Sequence, residues 1–150
     1  MYFEKIKFTR EDLDLTQREI AEILGIKRGM YTAMENGIVA FPLPIIEKLA
    51  DYYNLSIDYL VNITNIKRYT ITPKSADFKS LGKNIRKIRR QNRLTQENFA
   101  DDLNIKQPSY ASYENGKTLI KLDKIYILAK KYNFSIDGVL GKYDYIYKNK

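Results

Sequence analysis

Sliding the chain against itself by 79 residues brings Tyr2–Val61 onto Leu81–Leu140 without a gap, with roughly a third of the positions identical. A chain built twice on one plan has to fold as two similar units, each with only about 60 residues from which to make a core. The identities cluster. Leu15-Thr16-Gln17 matches Leu94-Thr95-Gln96, Glu35-Asn36-Gly37 matches Glu114-Asn115-Gly116, and Ser56-Ile57-Asp58 matches Ser135-Ile136-Asp137.

Helical periodicity runs through the first copy. Thr16 followed by Glu19 is a capping box, so a helix starts there and turns Ile20, Ala21 and Leu24 to one side. Gly25 ends it, Ile26 plugs the turn, and a further helix from about Lys27 carries Tyr31 and Met34 inward until Gly37 stops it. Pro42-Leu43-Pro44 opens another helix with Ile46, Leu49 and Ala50 inward, and Ser56 caps a last one holding Ile57 and Leu60. In the second copy Thr95 caps, Phe99, Ala100 and Leu103 point inward, Asn104 turns, and Tyr110 and Tyr113 take the inward positions of Tyr31 and Met34. No strand alternation occurs, so the expected fold is all-α, two five-helix bundles over residues 1–61 and 81–141.

Residues 62–80 contain Ile71-Thr72-Pro73 and lack helical periodicity, which reads as a linker. As a free coil it spans roughly 24 Å on average, and about 60 Å fully extended. Residues 142–150 form a polar, aromatic C-terminal tail.

Cysteine and histidine are both absent, which removes disulfides, Cys/His metal sites, cysteine nucleophiles and histidine acid-base chemistry. No run approaches the roughly 20 apolar residues of a membrane span, and no leader precedes the first copy, so a cytoplasmic protein is expected. The formal net charge of +8 favours polyanionic partners. It is unevenly held: residues 1–61 carry 7 basic and 10 acidic side chains, residues 62–80 carry 4 and 1, and the remainder 15 and 7. Lys83, Arg86, Lys87, Arg89, Arg90 and Arg93 crowd one helix and its exit. Most of the tyrosines sit at inward helical spacing and read as core or rim. Asp101-Asp102 and Asp12 with Asp14 read as helix surface. No Gly-rich phosphate loop is present, and no nucleophile-base pair or metal-ligand spacing points to an enzyme or a cofactor.

The Thr-Gln helix, the apolar turn, the next helix and its Glu-Asn-Gly stop resemble the Cro-like phage-repressor family of helix-turn-helix proteins, also called the xenobiotic-response-element family. The resemblance covers both copies, about four-fifths of the chain. It implies two tandem helix-turn-helix domains that bind double-stranded DNA in the major groove, so that two half-sites about 34 Å apart fall within reach of one molecule. By the same resemblance Gln17 and Gln96 hold phosphates, Lys27, Arg28, Thr32 and Ala33 meet base edges in the first copy, and Lys106, Gln107, Ser109 and Ser112 do so in the second. Asn36, Asn115 and Lys117 hold the backbone beyond. Arg28 is suited to guanine and Gln107 to adenine. The family also pairs Arg10 with Glu35 and Arg89 with Glu114.

The copies differ in ways that bear on function. Gly29 loosens the start of the first recognition helix, Met30 replaces a usually small residue, and Thr9 fills an apolar slot held by Ile88 in the second copy. The second copy is therefore expected to supply most of the DNA affinity, and the first to add specificity or bind protein. A transcriptional regulator, by default a repressor, is the expected function. The alternative is an antitoxin-like or antirepressor-like interaction protein whose first domain binds a protein partner. A homodimer and an internal pseudo-dimer both remain open.

Overall fold

The computed structural model describes residues 1–143, and the tail beyond Tyr143 lies outside the described residues. They form ten helices and no strand. The first copy supplies α1 (Glu4–Asp12), α2 (Gln17–Leu24), α3 (Arg28–Glu35), α4 (Leu43–Tyr53) and α5 (Ile57–Leu60). The second supplies α6 (Leu81–Gln91), α7 (Gln96–Asp102), α8 (Gln107–Glu114), α9 (Leu122–Tyr132) and α10 (Ile136–Val139). The described residues divide into two compact units, Met1–Arg68 with Lys121–Asp123, and Tyr69–Ile120 with residues 124–143.

In the first unit Ile6, Ile20, Leu24, Tyr31, Ile46 and Leu49 converge, each at most 1% exposed, and each contributes about 1.5–3 kcal/mol by leaving water. The Tyr31 ring meets Phe41 edge-on at 6.4 Å. In the second unit Phe99 stands where the first has Ile20, and the larger ring lies against Tyr132 at 4.6 Å in a stack and against Tyr110 edge-on at 5.6 Å. Tyr113 departs from the expected pattern: it is half-buried, whereas Met34 is 4% exposed. Its longer, polar-tipped side chain reaches past the core that Met34 fills.

The Thr16–Glu19 capping box forms, with both hydrogen bonds at 3.1 Å. Thr95 forms one too, but with Asn98 in the place of Glu: Asn98 N–H donates to Thr95 Oγ1 at 3.1 Å, and Asn98 Oδ1 accepts from Thr95 N–H at 2.8 Å. Left-handed residues recur in five pairs, each 79 residues apart: Asp14 and Arg93, Gly25 and Asn104, Gly37 and Gly116, Asn54 and Asn133, Asn62 and Gly141. Gly takes that conformation freely, and Asn and Asp tolerate it because their short polar side chains can hydrogen-bond locally, whereas it costs Arg93 about 1–2 kcal/mol. Gly82 answers a different demand. A Cβ there would lie 2.4 Å from the Tyr113 carbonyl oxygen, so α6 approaches the end of α8 only because position 82 has no side chain.

Residues 62–80 carry no helix, but much of the segment is held, unlike the free coil assumed from the sequence. Lys67 O accepts from Ser56 N–H at 2.7 Å, and Arg68 Nε donates to Asn54 O at 2.8 Å. Within the second unit, Lys74 N–H donates to Lys142 O at 2.8 Å and Asp77 N–H to Leu140 O at 2.7 Å. Backbone groups with partners of their own cannot swing as a chain of free links.

Candidate nucleic-acid interface

Each unit presents the same construction. A buried carboxylate at the end of the third helix is gripped by an arginine from the first, and the glutamine that opens the second helix leans on it. In the first unit Arg10 Nε and Nη2 donate to the two oxygens of Glu35 at 2.8 and 2.9 Å, and Nη1 donates to Leu15 O at 2.7 Å. In the second, Arg89 Nε and Nη2 donate to Glu114 at 2.7 and 3.0 Å, and Nη1 to Leu94 O at 2.8 Å. The pairing implied by the family resemblance is thus present in both units, in the two-pronged form that suits guanidinium and carboxylate.

The carboxylates are fully enclosed, with no side-chain exposure at Glu35 or Glu114. Burial works to raise the Glu114 pKa, but the hydrogen bonds from Arg89 and Gln96 outweigh it and hold the group down at about 2. Glu35 is lowered in the same way, against burial, by Arg10 and Gln17. Both stay charged at neutral pH and act as fixed acceptors.

That acceptor places the glutamines. Gln17 Nε2 donates to Glu35 at 3.4 Å while its Oε1 accepts from Thr32 Oγ1 at 2.7 Å. Gln96 Nε2 donates to Glu114 at 3.1 Å, and its Oε1 accepts from Gln107 Nε2 at 2.8 Å. Two of the residues expected to meet bases, Thr32 and Gln107, are therefore tied to the glutamines expected to hold phosphate. Position 28 aligns with 107, and position 32 with 111. The two units thus fasten their glutamine from different turns of the recognition helix.

The remaining expected contacts fall on the same exposed side of this framework or at its edge. Lys27 is the N-cap of α3 and Arg28 its first residue, both exposed, and Lys106 and Gln107 take the same places on α8. Ser109 is exposed. Ala33 and Ser112 are half-buried, and Ser112 Oγ donates to Ser109 O at 2.6 Å. Asn36 and Asn115 are the exposed C-caps, and Asn115 Oδ1 accepts from the exposed Lys117 N–H at 3.0 Å.

Sequence reasoning missed Arg18. In the first unit a 490 Å³ cleft opens at the start of α2 between Arg10, Thr16, Gln17, Arg18 and Arg28. Arg18 and Arg28 are exposed and Arg10 is committed to Glu35, so the cleft has two solvent-facing cations beside a helix N-terminus. The signal was a basic residue directly after the glutamine, where the second copy has Glu97. Arg86 is the corresponding extra in the second unit, with Nε 3.3 Å from Glu114 Oε1.

A helix-turn-helix family model matches residues 6–60 and again residues 85–139. The chain belongs to this Cro-type helix-turn-helix family, with two domains in tandem. It is similar to YobD of Bacillus subtilis (strain 168), described as an uncharacterised HTH-type transcriptional regulator, with 38% identity over 40% of this chain and 54% of YobD. It is also similar to the cryptic phage CTXphi transcriptional repressor RstR of Vibrio cholerae, with 37% identity over 41% of this chain and 56% of RstR. Antitoxin PezA of Streptococcus pneumoniae serotype 4 is 36% identical over 41% of this chain and 39% of PezA. The helix-turn-helix chain spans about half the length of the curated relatives it matches, or less. No solved structure matches it at a significant level. Among the described residues no helix is long and apolar enough to cross a membrane, and no cluster of carboxylates could hold a metal ion.

Proposed function

We propose that the protein is a sequence-specific DNA-binding transcriptional regulator that lays α3 and α8 in major grooves and represses by occluding a promoter. The observation that carries this reading is the repeated framework of buried arginine-carboxylate pair, anchored glutamine and exposed first turn of the next helix. Gln17 and Gln96 open helices whose free N–H groups favour phosphate. Lys27 and Arg28, and Lys106 and Gln107, stand at the tip that would meet base edges, with Thr32, Ala33, Ser109 and Ser112 behind them. Asn36, Asn115 and Lys117 follow along the backbone. The similarity to RstR, a transcriptional repressor by its name, supports the direction of control.

Selection of bound sequences from random duplex DNA, with the native chain and with Arg28→Ala and Gln107→Ala, tests the reading. A motif with two halves, each relaxed by one substitution, is the expected result. No motif at all would refute specific recognition.

A second reading is favoured by the first unit's surface. Met30 is 46% exposed and Ile38 77% exposed, at positions where the second copy has Ser109 and Lys117. Together with the similarity to PezA, an antitoxin by its name, this supports a first domain that binds a protein while the second binds DNA. A motif with only the Gln107 half, and a partner released by Met30→Ser with Ile38→Lys, would select it.

A further inference from the structure

The two copies place opposite charges at two matching positions of one helix face. On α1, Glu4, Lys7, Phe8 and Glu11 follow the i, i+3, i+4, i+7 spacing of a single helix face. The aligned face of α6 holds Lys83, Arg86, Lys87 and Arg90. Glu4 and Glu11 have become Lys83 and Arg90, and Phe8 has become Lys87. Phe8 is 50% exposed, the two glutamates are exposed, and so are Lys83, Lys87 and Arg90. None of these five charged side chains enters a salt bridge among the described residues. An open groove of 430 Å³ runs between Lys83, Arg86, Lys87, Arg90 and Gln91, walled largely by their aliphatic stems.

An exposed phenylalanine flanked by carboxylates two helical turns apart is the complement of a stem-lined groove flanked by cations two turns apart. The spacings agree, about 10.5 Å in each case, because both come from the same seven-residue interval of the duplicated helix. Laid antiparallel, the faces bring Glu4 to Arg90 and Glu11 to Lys83, with Phe8 between them. In that register Lys7 falls opposite Lys87, the one like pair, and Glu4 and Glu11, three and four residues from Lys7, offset it within the same helix.

We propose that the basic face of α6 takes α1 of a second copy of the chain, antiparallel, with the Phe8 ring in the groove between Lys83 and Arg90. The contact does not depend on DNA. The contact joins two unlike faces, and each copy carries one of each. Salt weakens it, since the flanking pairs are at the surface.

Sedimentation equilibrium at low ionic strength tests this with two charge-reversed variants of the full chain, Glu4→Lys/Glu11→Lys and Lys83→Glu/Arg90→Glu. The native chain is expected to self-associate. Each variant alone should associate at least tenfold more weakly, because it meets itself with like charges. Their equimolar mixture should recover the association, since every α1 then finds an α6 of opposite sign in the other variant. Both variants remain net positive, so general attraction between the two species does not account for recovery. Circular dichroism of each variant establishes that it is folded. A native chain that stays monomeric at several hundred micromolar, or variants that associate no better mixed than apart, would overturn the proposal and leave the α6 face to a polyanion such as duplex DNA.

Discussion

Replacing Glu114 by leucine should destabilise the second unit severely, and replacing Arg89 by methionine as well should restore much of the loss. The Glu114 side chain is fully enclosed and Arg89 is 11% exposed, so removing the carboxylate leaves a guanidinium in the interior with no counter-charge. Breaking such a pair from one side costs about 3–5 kcal/mol, whereas exchanging both partners for apolar side chains of similar volume is often close to neutral. Here the exchange also removes the Arg89 donor from Leu94 O, which costs about 1 kcal/mol. The double variant should therefore stand at least about 2 kcal/mol above the single one. Urea unfolding of the full chain at pH 7, followed through amide resonances of α8, measures both. The reasoning fails if Glu114→Leu costs less than about 1 kcal/mol, or if the double variant is no more stable than the single one. The double variant should fold yet bind DNA weakly, because Gln96 has lost the acceptor that places it.

The same carboxylate sets an acid limit. Its pKa is depressed from 4.5 to about 2, so its contribution is whole above pH 4.5, declines as pH falls, and is gone below about 2, a loss on the order of 3 kcal/mol. A pH series of urea melts should show that decline in the native chain and not in Glu114→Gln. Arg93→Gly should stabilise the second unit by about 0.5–1 kcal/mol, because the left-handed backbone at φ 57° no longer opposes a Cβ; a loss in thermal melting would count against this. Gly29→Ala should add a similar amount to the first unit, since a Cβ there meets nothing within 4 Å on a helical residue, and an unchanged melt would show that α3 is already rigid at its start. Arg18→Ala should lower the slope of log K against log salt for DNA binding by about 1, while Glu97→Ala leaves the slope unchanged or steeper.

Much of the architecture could be read from the chain because periodicity, caps and the 79-residue repeat agree with one another. Thr16 with Glu19, Gly25 and Gly37 mark ends through local backbone chemistry, which acts over three or four residues and leaves its trace in the order of residues. The Thr95–Asn98 box was hidden because asparagine is not the residue that usually closes it. Arg93 in a left-handed conformation was hidden because nothing about arginine invites it; only its alignment with Asp14 pointed there. The links from Gln107 to Gln96 and from Thr32 to Gln17 join residues 11 and 15 positions apart, and they depend on how closely two helices approach, which spacing does not report. Residues 62–80 looked free because they lack periodicity, yet their partners are backbone groups to which sequence is nearly silent.

The paired left-handed residues bear on how such a chain can change. A protein that assembles from two identical subunits writes every substitution into both halves, so its two faces stay identical. Here the five bends that set the path of the backbone match across the duplication, while Arg28 faces Gln107 in the alignment, Arg18 faces Glu97, and Glu4 and Glu11 face Lys83 and Arg90. Each face is free to alter alone on a common scaffold, as the two halves of a symmetric dimer are not.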